Sequence, residues 1–327
     1  PELKLFKVAS LFAGCGGMDL GVQGGFKFNG RNYARLNTEV VHSSDCDARV
    51  VNIYNLNFKH KAEVADVRKI SLKGETVDLV IGGFPCQSFS SVNPSKDPTD
   101  SRAQLFNDML RIVRETQPKF VIGENVKGFY RLHGGKYFDD YSKKLKRAGY
   151  RVYHQVVLAA DFGVPQLRQR LIVIGVRNDI KGDFEFPKPI FGPNSKSQLN
   201  YVPLKKVIKS LSRVNDKYYF SEKAVQGVKN AKTNMKRALA QDLNGPCLTI
   251  TSHLAKVSLN SRDPVLLVNP AKELYRRFTP REAAAIQSFP DNFEFSGSEA
   301  DAYRQIGNAI PPVMIWHIIR ALKKLES

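Results

Sequence analysis

The first 180 residues switch repeatedly between strand-like and helix-like patterns of apolar and polar positions. Nearly continuous apolar runs, as at 77–83, indicate strands buried on both faces of a sheet. Apolar residues at helical spacing, as in 101–117 before Pro118, indicate helices packed on that sheet. This alternation predicts an α/β fold with a parallel or mostly parallel sheet. The patterns predict strands at 4–11, 38–43, 63–65, 77–83, 120–123, 150–159 and 170–176, and helices at 45–55, 101–117, 137–148 and 314–325.

The pattern changes after Asn178. Prolines, glycine and small polar residues are concentrated in 184–203, which is typical of a loop-rich boundary. Residues 187–270 show little periodicity, and helical spacing returns from Tyr275. A chain of 327 residues is long enough for two domains. We therefore predict one domain from 1–186 and 271–327, and a small irregular second domain from 187–270.

The charge is uneven along the chain. The sequence has 50 lysines and arginines against 31 acids, a net charge of +19, and residues 187–270 hold 14 basic residues against 4 acidic ones. A basic excess favours nucleic acid or an anionic membrane as partner, although solubility alone is the simpler alternative. No cationic amphipathic helix with a bulky aromatic face is evident, and no apolar run could cross a bilayer. We therefore expect nucleic acid and no membrane.

The cysteines carry information about the cell compartment. The four cysteines contain no Cys-x-x-Cys pair, which argues against a zinc ribbon or a disulfide framework, and we expect no metal. Residues 3–10 lack the apolar segment of a signal peptide. These features predict a protein of the reducing cytoplasm.

A glycine-rich turn, Leu-Phe-Ala-Gly-Cys-Gly-Gly at 11–17, directly follows the first predicted strand. Such turns let the backbone approach a ligand, although many strand–helix turns need glycine without one. The Gly-x-Gly-x-x-Gly fingerprint and the Walker A lysine are absent, which argues against a dinucleotide or a nucleoside triphosphate. Asp45 and Asp66 follow the next two strands, where a carboxylate can bind ribose. Each could instead be only a helix N-cap.

Two further strand ends carry reactive side chains. Cys86 follows the buried run 77–83, and Pro85 would hold it in a loop, although a small buried thiol is the commoner role of a single cysteine. Glu124 follows the run 120–123. It is either a cap or a carboxyl whose pKa burial raises, so that it can donate a proton near neutral pH.

A basic segment, Gln-Leu-Arg-Gln-Arg at 166–170, enters the last predicted strand. Strand alternation places Gln166, Arg168 and Arg170 on one face. That face is either a solvated basic edge or a surface that contacts an anion or a substrate base.

Taken together, these segments resemble the DNA (cytosine-5)-methyltransferases of bacterial modification systems. The motifs stand in the family's order: Phe-Ala-Gly-Cys-Gly-Gly at 12–17, Phe-Pro-Cys-Gln at 84–87, Glu-Asn-Val at 124–126, Gln-Leu-Arg-Gln-Arg at 166–170, Arg-Phe-Thr-Pro-Arg-Glu-Ala-Ala-Ala-Ile-Gln-Ser-Phe-Pro at 277–290 and Gly-Asn-Ala-Ile-Pro-Pro at 307–312. The resemblance covers all of the chain except 187–270.

The resemblance implies a Rossmann-like domain that binds S-adenosylmethionine, with 187–270 as a target-recognition domain. The methyl group would go to carbon 5 of a flipped-out cytosine in a specific duplex DNA sequence, and S-adenosylhomocysteine would be the product. Phe12 would pack on the adenine, Asp45 would hold the ribose, Asp66 would accept from the adenine amino group and Asn308 would close the methionine end. The cofactor residues implied are Phe12, Ala13, Gly14, Gly16, Gly17, Asp45, Cys46, Asp66, Val67, Gly83, Pro85 and Asn308.

The resemblance also assigns the chemistry. Cys86 matches the nucleophile and Glu124 the acid that engages the cytosine ring, while Arg168, with Arg170 beside it, matches the arginine that supports the flipped base. Residues 88–105 would form the loop that folds over DNA. The DNA-contacting residues implied are Ser88, Ser90, Arg102, Gln166 and Thr249.

Three positions depart from the family pattern. Residues 26–37 lengthen the connection before Asp45, which puts the ribose contact in question. Ala103 stands where the family usually has glycine, and Ala285 stands where an arginine is common.

Two other functions remain open from the sequence. One branch of the family methylates transfer RNA, but the basic segment before Tyr275 favours DNA. A catalytically inactive DNA-binding or regulatory module is the other, and the intact Cys86, Glu124 and Arg168 argue against it. We expect a bacterial, nucleoid-associated monomer, with a possible cognate restriction endonuclease that does not form a complex with it.

Overall fold

The computed structural model describes residues 5–84, 105–231, 240–256 and 265–325. Within these ranges, seven strands form one sheet and four short strands form two hairpins. The sheet consists of β1 (Phe6–Leu11), β4 (Thr38–Asp45), β5 (Glu63–Val64), β6 (Leu79–Gly82), β7 (Phe120–Val126), β8 (Tyr150–Leu158) and β9 (Gln169–Arg177). The hairpins are β2 (Phe26–Phe28) with β3 (Arg31–Tyr33), and β10 (Leu266–Asn269) with β11 (Leu274–Arg276).

The strand order is β5-β4-β1-β6-β7-β9-β8. All neighbours are parallel except β9, which is antiparallel to both β7 and β8. The predicted mostly parallel sheet is therefore confirmed. The exception follows from chain length, because the short connection 159–168 cannot carry the crossover that a parallel neighbour needs.

Helices cover both faces of the sheet, as the alternating pattern predicts. The side chains of α1, α2 and α8 pack into one core, and those of α3 and α4 pack into the other. The helices are α1 (Gly17–Gln23), α2 (Ala48–Asn57), α3 (Leu105–Thr116), α4 (Lys136–Arg147), α5 (Glu222–Ala231), α6 (Pro280–Ile286), α7 (Glu299–Asn308) and α8 (Pro312–Lys323). In β6, Leu79 and Ile81 enter the first core and Val80 the second, which explains its continuous apolar run.

The direction of the chain across the sheet reverses between β1 and β6. The strands β4 and β5 lie on one side of β1, and β6 and β7 on the other. The loops that follow Leu11 and Gly82 are therefore neighbours: a Cβ atom on Gly82 would lie 3.2 Å from the Leu11 carbonyl oxygen. In open α/β sheets, ligands bind at the strand carboxyl ends beside such a reversal.

The family departure at 26–37 forms the hairpin of β2 and β3. Its Tyr33 packs edge-on against Trp316 of α8, and the Trp316 indole N–H donates to the Ala34 carbonyl at 2.8 Å. This hairpin joins the amino end of β4, whereas Asp45 stands at the carboxyl end, about 23 Å away along eight residues. The longer connection therefore leaves the setting of Asp45 intact.

The described part of 187–270 contains α5, β10 and short 3-10 turns at Leu204–Lys206, Asp216–Tyr218 and Leu254–Lys256. Its buried Leu204, Ile250 and Leu266 belong to the same core as α8, so this part shares the core of the sheet. In the described ranges, no helix is long and apolar enough to cross a membrane.

Candidate active site

The glycine loop lies at the carboxyl end of β1. Gly14 and Gly16 have φ of +59° and +93°, which glycine adopts without strain. A Cβ atom on Gly16 would stand 2.3 Å from the Phe58 ring, so no larger residue fits there. The Ala13 amide donates to the Ser44 carbonyl at 3.0 Å, which fixes the loop against the end of β4. Phe12 lies half-buried between this loop and β1.

Asp45 receives two backbone hydrogen bonds at this loop. Its Oδ2 accepts from the Gly14 amide and its Oδ1 from the Asp47 amide, each at 3.0 Å. Burial raises the pKa of Asp45, although these two amides act against the increase. Asp47, not Asp45, is the N-cap of α2. Each Asp45 oxygen keeps a further lone pair, so the carboxylate can accept from the hydroxyls of a ligand.

Asp66 does serve as a cap. It accepts from the Arg68 amide at 3.0 Å at the start of a 3-10 turn, Val67–Lys69, and the Arg68 guanidinium pairs with it. This pairing lowers the pKa of Asp66 to about 2. Val67 is buried, whereas the thiol of Cys46 beside Asp45 is exposed. Asp45, Cys46 and Asp66 thus lie on neighbouring strand ends, as predicted.

The segment after α7 completes this side of the site. Asn308 is the exposed last residue of α7. The next residues approach both glycine segments: a Cβ atom on Gly17 would lie 2.4 Å from the Ile310 carbonyl oxygen, and one on Gly83 would lie 3.4 Å from the Ile310 Cδ1 atom. Residues 307–310 therefore lie between the glycine loop and the end of β6.

A buried ion pair lies next to this position. The Arg170 Nε atom is 3.0 Å from the Glu124 Oε1 atom, and both side chains are less than 15% exposed, at 14% and 11%. A Cβ atom on Gly83 would lie 3.0 Å from the other Glu124 oxygen, so glycine makes room for the carboxyl there. The side-chain Nδ2 atom of Asn125 donates to the Phe84 carbonyl at 3.3 Å. The end of β6 is thus held against Glu124.

Burial raises the pKa of Glu124, and the guanidinium groups of Arg170 and Arg168 act in the opposite direction without cancelling it. The carboxyl therefore keeps its proton closer to neutral pH than an exposed glutamate does. A buried carboxyl that tends to keep its proton, beside a fixed cation, is suited to acid–base chemistry.

Arg168 and Gln166 lie in different surroundings from those predicted. The Arg168 guanidinium is buried and donates to the carbonyls of Ile250 at 3.1 Å and Gly307 at 2.9 Å, while Arg170 makes the ion pair with Glu124. Of the two arginines that the resemblance placed at the flipped base, Arg170 pairs with Glu124. Arg168 instead joins the segment next to Thr249 to the segment next to Asn308.

The predicted DNA contact of Gln166 is wrong for this conformation. Its side chain is fully buried and its amide groups are already engaged. The Oε1 atom accepts from the Ile250 amide at 3.0 Å, and the Nε2 atom donates to the Gln287 Oε1 atom at 2.8 Å and to the Ile286 carbonyl at 3.3 Å. No donor hydrogen is left for DNA.

Gln287 is a buried polar residue that sequence reasoning passed over. Its Nε2 atom donates to the carbonyls of Ile306 at 2.7 Å and Ala309 at 3.3 Å, on either side of Asn308. A glutamine within the apolar run of α6 was the available signal, because a buried amide needs partners. Ala285, in the same segment, is half-buried against the core.

Several predicted residues lie outside the described ranges, namely Pro85, Cys86, Ser88, Ser90, Arg102 and Ala103. Thr249 is described and partly exposed, and its hydroxyl donates to the Leu167 carbonyl at 3.0 Å. Two other cysteines, Cys15 and Cys247, are buried thiols. Burial raises the pKa of Cys15 to about 12, which makes it unreactive.

The strand order and the strand-end site together define an α/β, Rossmann-like fold with a site at the carboxyl ends of its strands. The Schizosaccharomyces pombe Dnmt2 methyltransferase superposes with a TM-score of 0.76 at 20% identity, over 98% of each chain. The Entamoeba histolytica methyltransferase EhMeth gives 0.75 at 20% identity, over 99% of this chain and all of that one. At these identities the likeness supports the fold.

Residues 6–324 match the family described as C-5 cytosine-specific DNA methylase. The chain is 31% identical to the type II methyltransferases M.FnuDI of Fusobacterium nucleatum and M.NgoPII of Neisseria gonorrhoeae, over 97% of this chain and 94% and 95% of theirs. M.NlaX of Neisseria lactamica is 31% identical over 99% and 98%. The chain belongs to the C-5 cytosine-specific DNA methylase family and is a DNA cytosine methyltransferase.

Proposed function

We propose that this enzyme transfers a methyl group from S-adenosylmethionine to carbon 5 of a flipped-out cytosine, within a specific duplex sequence and through a covalent cysteine adduct. Its relatives are type II methyltransferases, which supports a role in a restriction–modification system. The observation that carries the proposal is the buried ion pair of Glu124 and Arg170, which lies against Gly83 and Phe84. Cys86 follows Phe84 by two residues in the chain, so the proposed nucleophile and the proposed proton donor belong to the same strand ends.

The glycine side of the site fits the cofactor. Asp45 keeps acceptor capacity for ribose hydroxyls, and a Cβ atom on Gly14 would meet nothing within 4 Å, so the loop is open to a ligand. When bound there, S-adenosylmethionine supplies an electrophilic methyl group on its sulfonium. The residues proposed to hold it are Phe12, Ala13, Gly14, Gly16, Gly17, Asp45, Cys46, Asp66, Val67, Gly83, Pro85 and Asn308.

Cys86 is the proposed nucleophile. Carbon 5 of cytosine is a poor nucleophile until a thiolate adds to carbon 6 and makes the ring enamine-like. A cysteine suits this step because a few per cent of it is thiolate near pH 7 and it is strongly nucleophilic. After the methyl group has bonded to carbon 5, the proton on carbon 5 leaves to a base and the bond from the Cys86 sulfur to carbon 6 breaks. The proton on ring nitrogen 3 returns to the Glu124 carboxylate, which restores the ring and the acid.

Glu124 is the proposed proton donor to ring nitrogen 3, which offsets the charge that builds on the ring during attack. Its raised pKa keeps a proton available. Arg170 then pairs with the carboxylate that remains, since its guanidinium already lies 3.0 Å away.

Target recognition is proposed to lie in 187–270, with Thr249 against the target nucleotide's backbone. A cytosine ring cannot be reached inside a duplex, and extruding it costs a few kcal/mol. Phosphate contacts of the basic segment would offset this cost. We further propose that the enzyme acts as a monomer on cytoplasmic, nucleoid DNA, and that any cognate endonuclease acts separately.

Methyl transfer from labelled S-adenosylmethionine to duplex DNA tests the proposal, with transfer RNA as the competing acceptor. Cys86→Ala should abolish transfer while cofactor binding survives, and Cys247→Ala serves as the matched thiol control. Duplex DNA with 5-fluorocytosine at the target should form a denaturation-resistant adduct, because fluorine cannot leave as a proton does. Wild-type transfer by Cys86→Ala would exclude the covalent mechanism.

A further inference from the structure

Helix α3 contacts the segment that follows Asp66 through two charged side chains. The Arg111 Nη2 atom donates to the Val67 carbonyl at 2.8 Å, and its Nη1 atom donates to the Ile70 carbonyl at 2.7 Å. One turn along the helix, the Glu115 Oε2 atom accepts from the Leu72 amide at 2.9 Å and from the Ser71 hydroxyl at 3.1 Å. These two side chains thus bind four polar groups of the loop between residues 67 and 72.

Arg111 and Glu115 also bind each other. The Arg111 Nη1 atom lies 2.7 Å from the Glu115 Oε1 atom, in an i, i+4 pair. Burial alone would raise the pKa of Glu115, but the Leu72 amide, the Arg111 guanidinium and the Ser71 hydroxyl together lower it. The Glu115 carboxyl therefore stays ionised, and the bonds that a carboxylate and a guanidinium make to the loop are charge-assisted, which makes them stronger than bonds between neutral groups.

The helix that carries this pair is firmly anchored. Met109, Ile112 and Val113 of α3 are fully buried in the core formed with β6 and β7. Ile70 and Leu72 of the loop enter the same core. The loop is therefore attached to α3 by apolar packing at two residues and by polar bonds at the backbone groups around them.

The loop itself has little regular structure to hold it. It contains one 3-10 turn, Val67–Lys69, and Asp66 immediately precedes that turn. On its upstream side, Asp66 is fixed to the sheet because the Ala65 amide donates to the Asp45 carbonyl at 2.9 Å. On its downstream side, Arg111 binds the carbonyls of Val67 and Ile70, and the Val67 carbonyl also accepts from the Ile70 amide at 3.3 Å. The direction in which Asp66 and Val67 face the site is thus set from both sides.

We propose that Arg111 and Glu115 are positioning residues for the adenine end of the cofactor site. They hold the turn after Asp66 so that Asp66 and Val67 meet the adenine ring, and they touch no cofactor themselves. The inference rests on the proposed function, in which Asp66 accepts from the adenine amino group. Arg68 makes four contacts to the two Asp66 oxygens, and its exposed guanidinium would release one of them to the adenine amino group.

The first test compares Arg111→Ala with Arg114→Ala, which removes an exposed arginine from the same helix. Arg111→Ala should raise the KM for S-adenosylmethionine and the Kd for S-adenosylhomocysteine by about tenfold, while kcat at saturation stays within about twofold, the pattern of lost binding alone. Arg114→Ala should change neither. If Arg111→Ala fails to fold, Arg111→Lys keeps the pair with Glu115 but reaches only one carbonyl, and it should show an intermediate loss.

The second test asks whether the loss is specific to adenine. S-inosylhomocysteine has an oxo group in place of the adenine amino group, so wild-type enzyme should bind it more weakly than S-adenosylhomocysteine. In Arg111→Ala and in Asp66→Asn this preference should fall, whereas a general structural weakening lowers both affinities in proportion. An unchanged preference or an unchanged KM in Arg111→Ala overturns the inference. Absence of cofactor binding by the wild-type protein would instead overturn the proposed function and the inference with it.

Discussion

The sheet and the segment 187–270 place their functional residues by different means. In the sheet, Gly14 follows β1, Asp45 ends β4 and Glu124 lies near the end of β7. Their positions follow from the ladder of backbone hydrogen bonds, which one side chain cannot shift. The described part of 187–270 is held to the body by apolar residues of the shared core, such as Leu204, and by the buried Arg168 and Arg276, which bind its carbonyls.

Arg276 illustrates the second kind of attachment. Its guanidinium is fully buried, pairs with Glu282 at 2.7 Å, and donates to the carbonyls of Ser210 at 3.0 Å and Leu211 at 2.8 Å. Glu282 in turn forms the capping box of α6 with Thr279. The comparison shows that backbone hydrogen bonds of the sheet fix the positions of Asp45 and Glu124. The described part of 187–270 is instead positioned by side chains, in the shared core and at buried groups such as Arg276.

Glu124→Gln should have the largest effect in the sheet. Glutamine keeps the shape of the side chain but supplies no proton, so kcat should fall by roughly 10²–10⁴-fold. DNA and cofactor affinities should change little. Glu185→Gln, at an exposed glutamate, is the control. A loss of less than about fivefold would show that Glu124 has only a structural role.

The pH profile tests the same group. Because burial raises the pKa of Glu124, the wild-type rate should fall as pH rises through that pKa and the proton donor is lost. This decrease in rate at alkaline pH should be absent from the Glu124→Gln profile. If both enzymes show the same decrease, another titrating group causes it.

Arg276→Met should have the largest effect on how 187–270 is attached. Removing the guanidinium leaves the buried Glu282 carboxylate and three carbonyls, those of Ser210, Leu211 and Arg277, without this donor, which should lower the free energy of unfolding by about 3–5 kcal/mol. Urea unfolding measures this, and Arg213→Met, at an exposed arginine, should cost less than about 0.5 kcal/mol. Adding Glu282→Gln should recover part of the loss, because glutamine removes the unpaired charge and still caps α6. No recovery would argue against the charge as the cause.

Replacing Lys205, Lys206 and Lys209 should have the smallest effect and leave the chemistry intact. All three are exposed, and loss of phosphate contacts should weaken binding to every DNA sequence and reduce the salt slope by about 1 for each contact. Lys209 already pairs with Asp291 at 2.7 Å, so its single substitution should change the slope less than that of Lys206. Binding titrations at several salt concentrations measure both.

A segment exchange sharpens the comparison further. Replacing 187–270 with that of a relative should move the methylated site and leave the product as 5-methylcytosine, since base-edge contacts specify sequence and phosphate contacts position the duplex. Bisulfite mapping of plasmid DNA detects the site. A soluble, active chimera that kept the original site would place specificity elsewhere.

The sequence by itself determined the strands and helices of the sheet and the residues at the strand ends. Apolar periodicity is a local property, and a strand that is buried on both faces, such as β6, must be apolar throughout. The glycine loop, Asp45 and Glu124 could be located because each follows a run that the sequence pattern predicts as a strand. The family order of the motifs then gave them chemical roles.

Only the tertiary structure decided which partners these residues have. Strand alternation predicts the same face for Arg168 and Arg170. In the structure, Arg168 binds the carbonyls of Ile250 and Gly307, more than 80 residues away in sequence, whereas Arg170 pairs with Glu124. The same holds for Arg111, whose partners lie 41 and 44 residues away in sequence. The physical reason is that a buried polar group must be satisfied by whatever the fold brings within hydrogen-bond distance. The hydrogen-bond partner depends on the order of the strands and on how the connections cross the sheet. The local pattern of apolar and polar residues encodes neither.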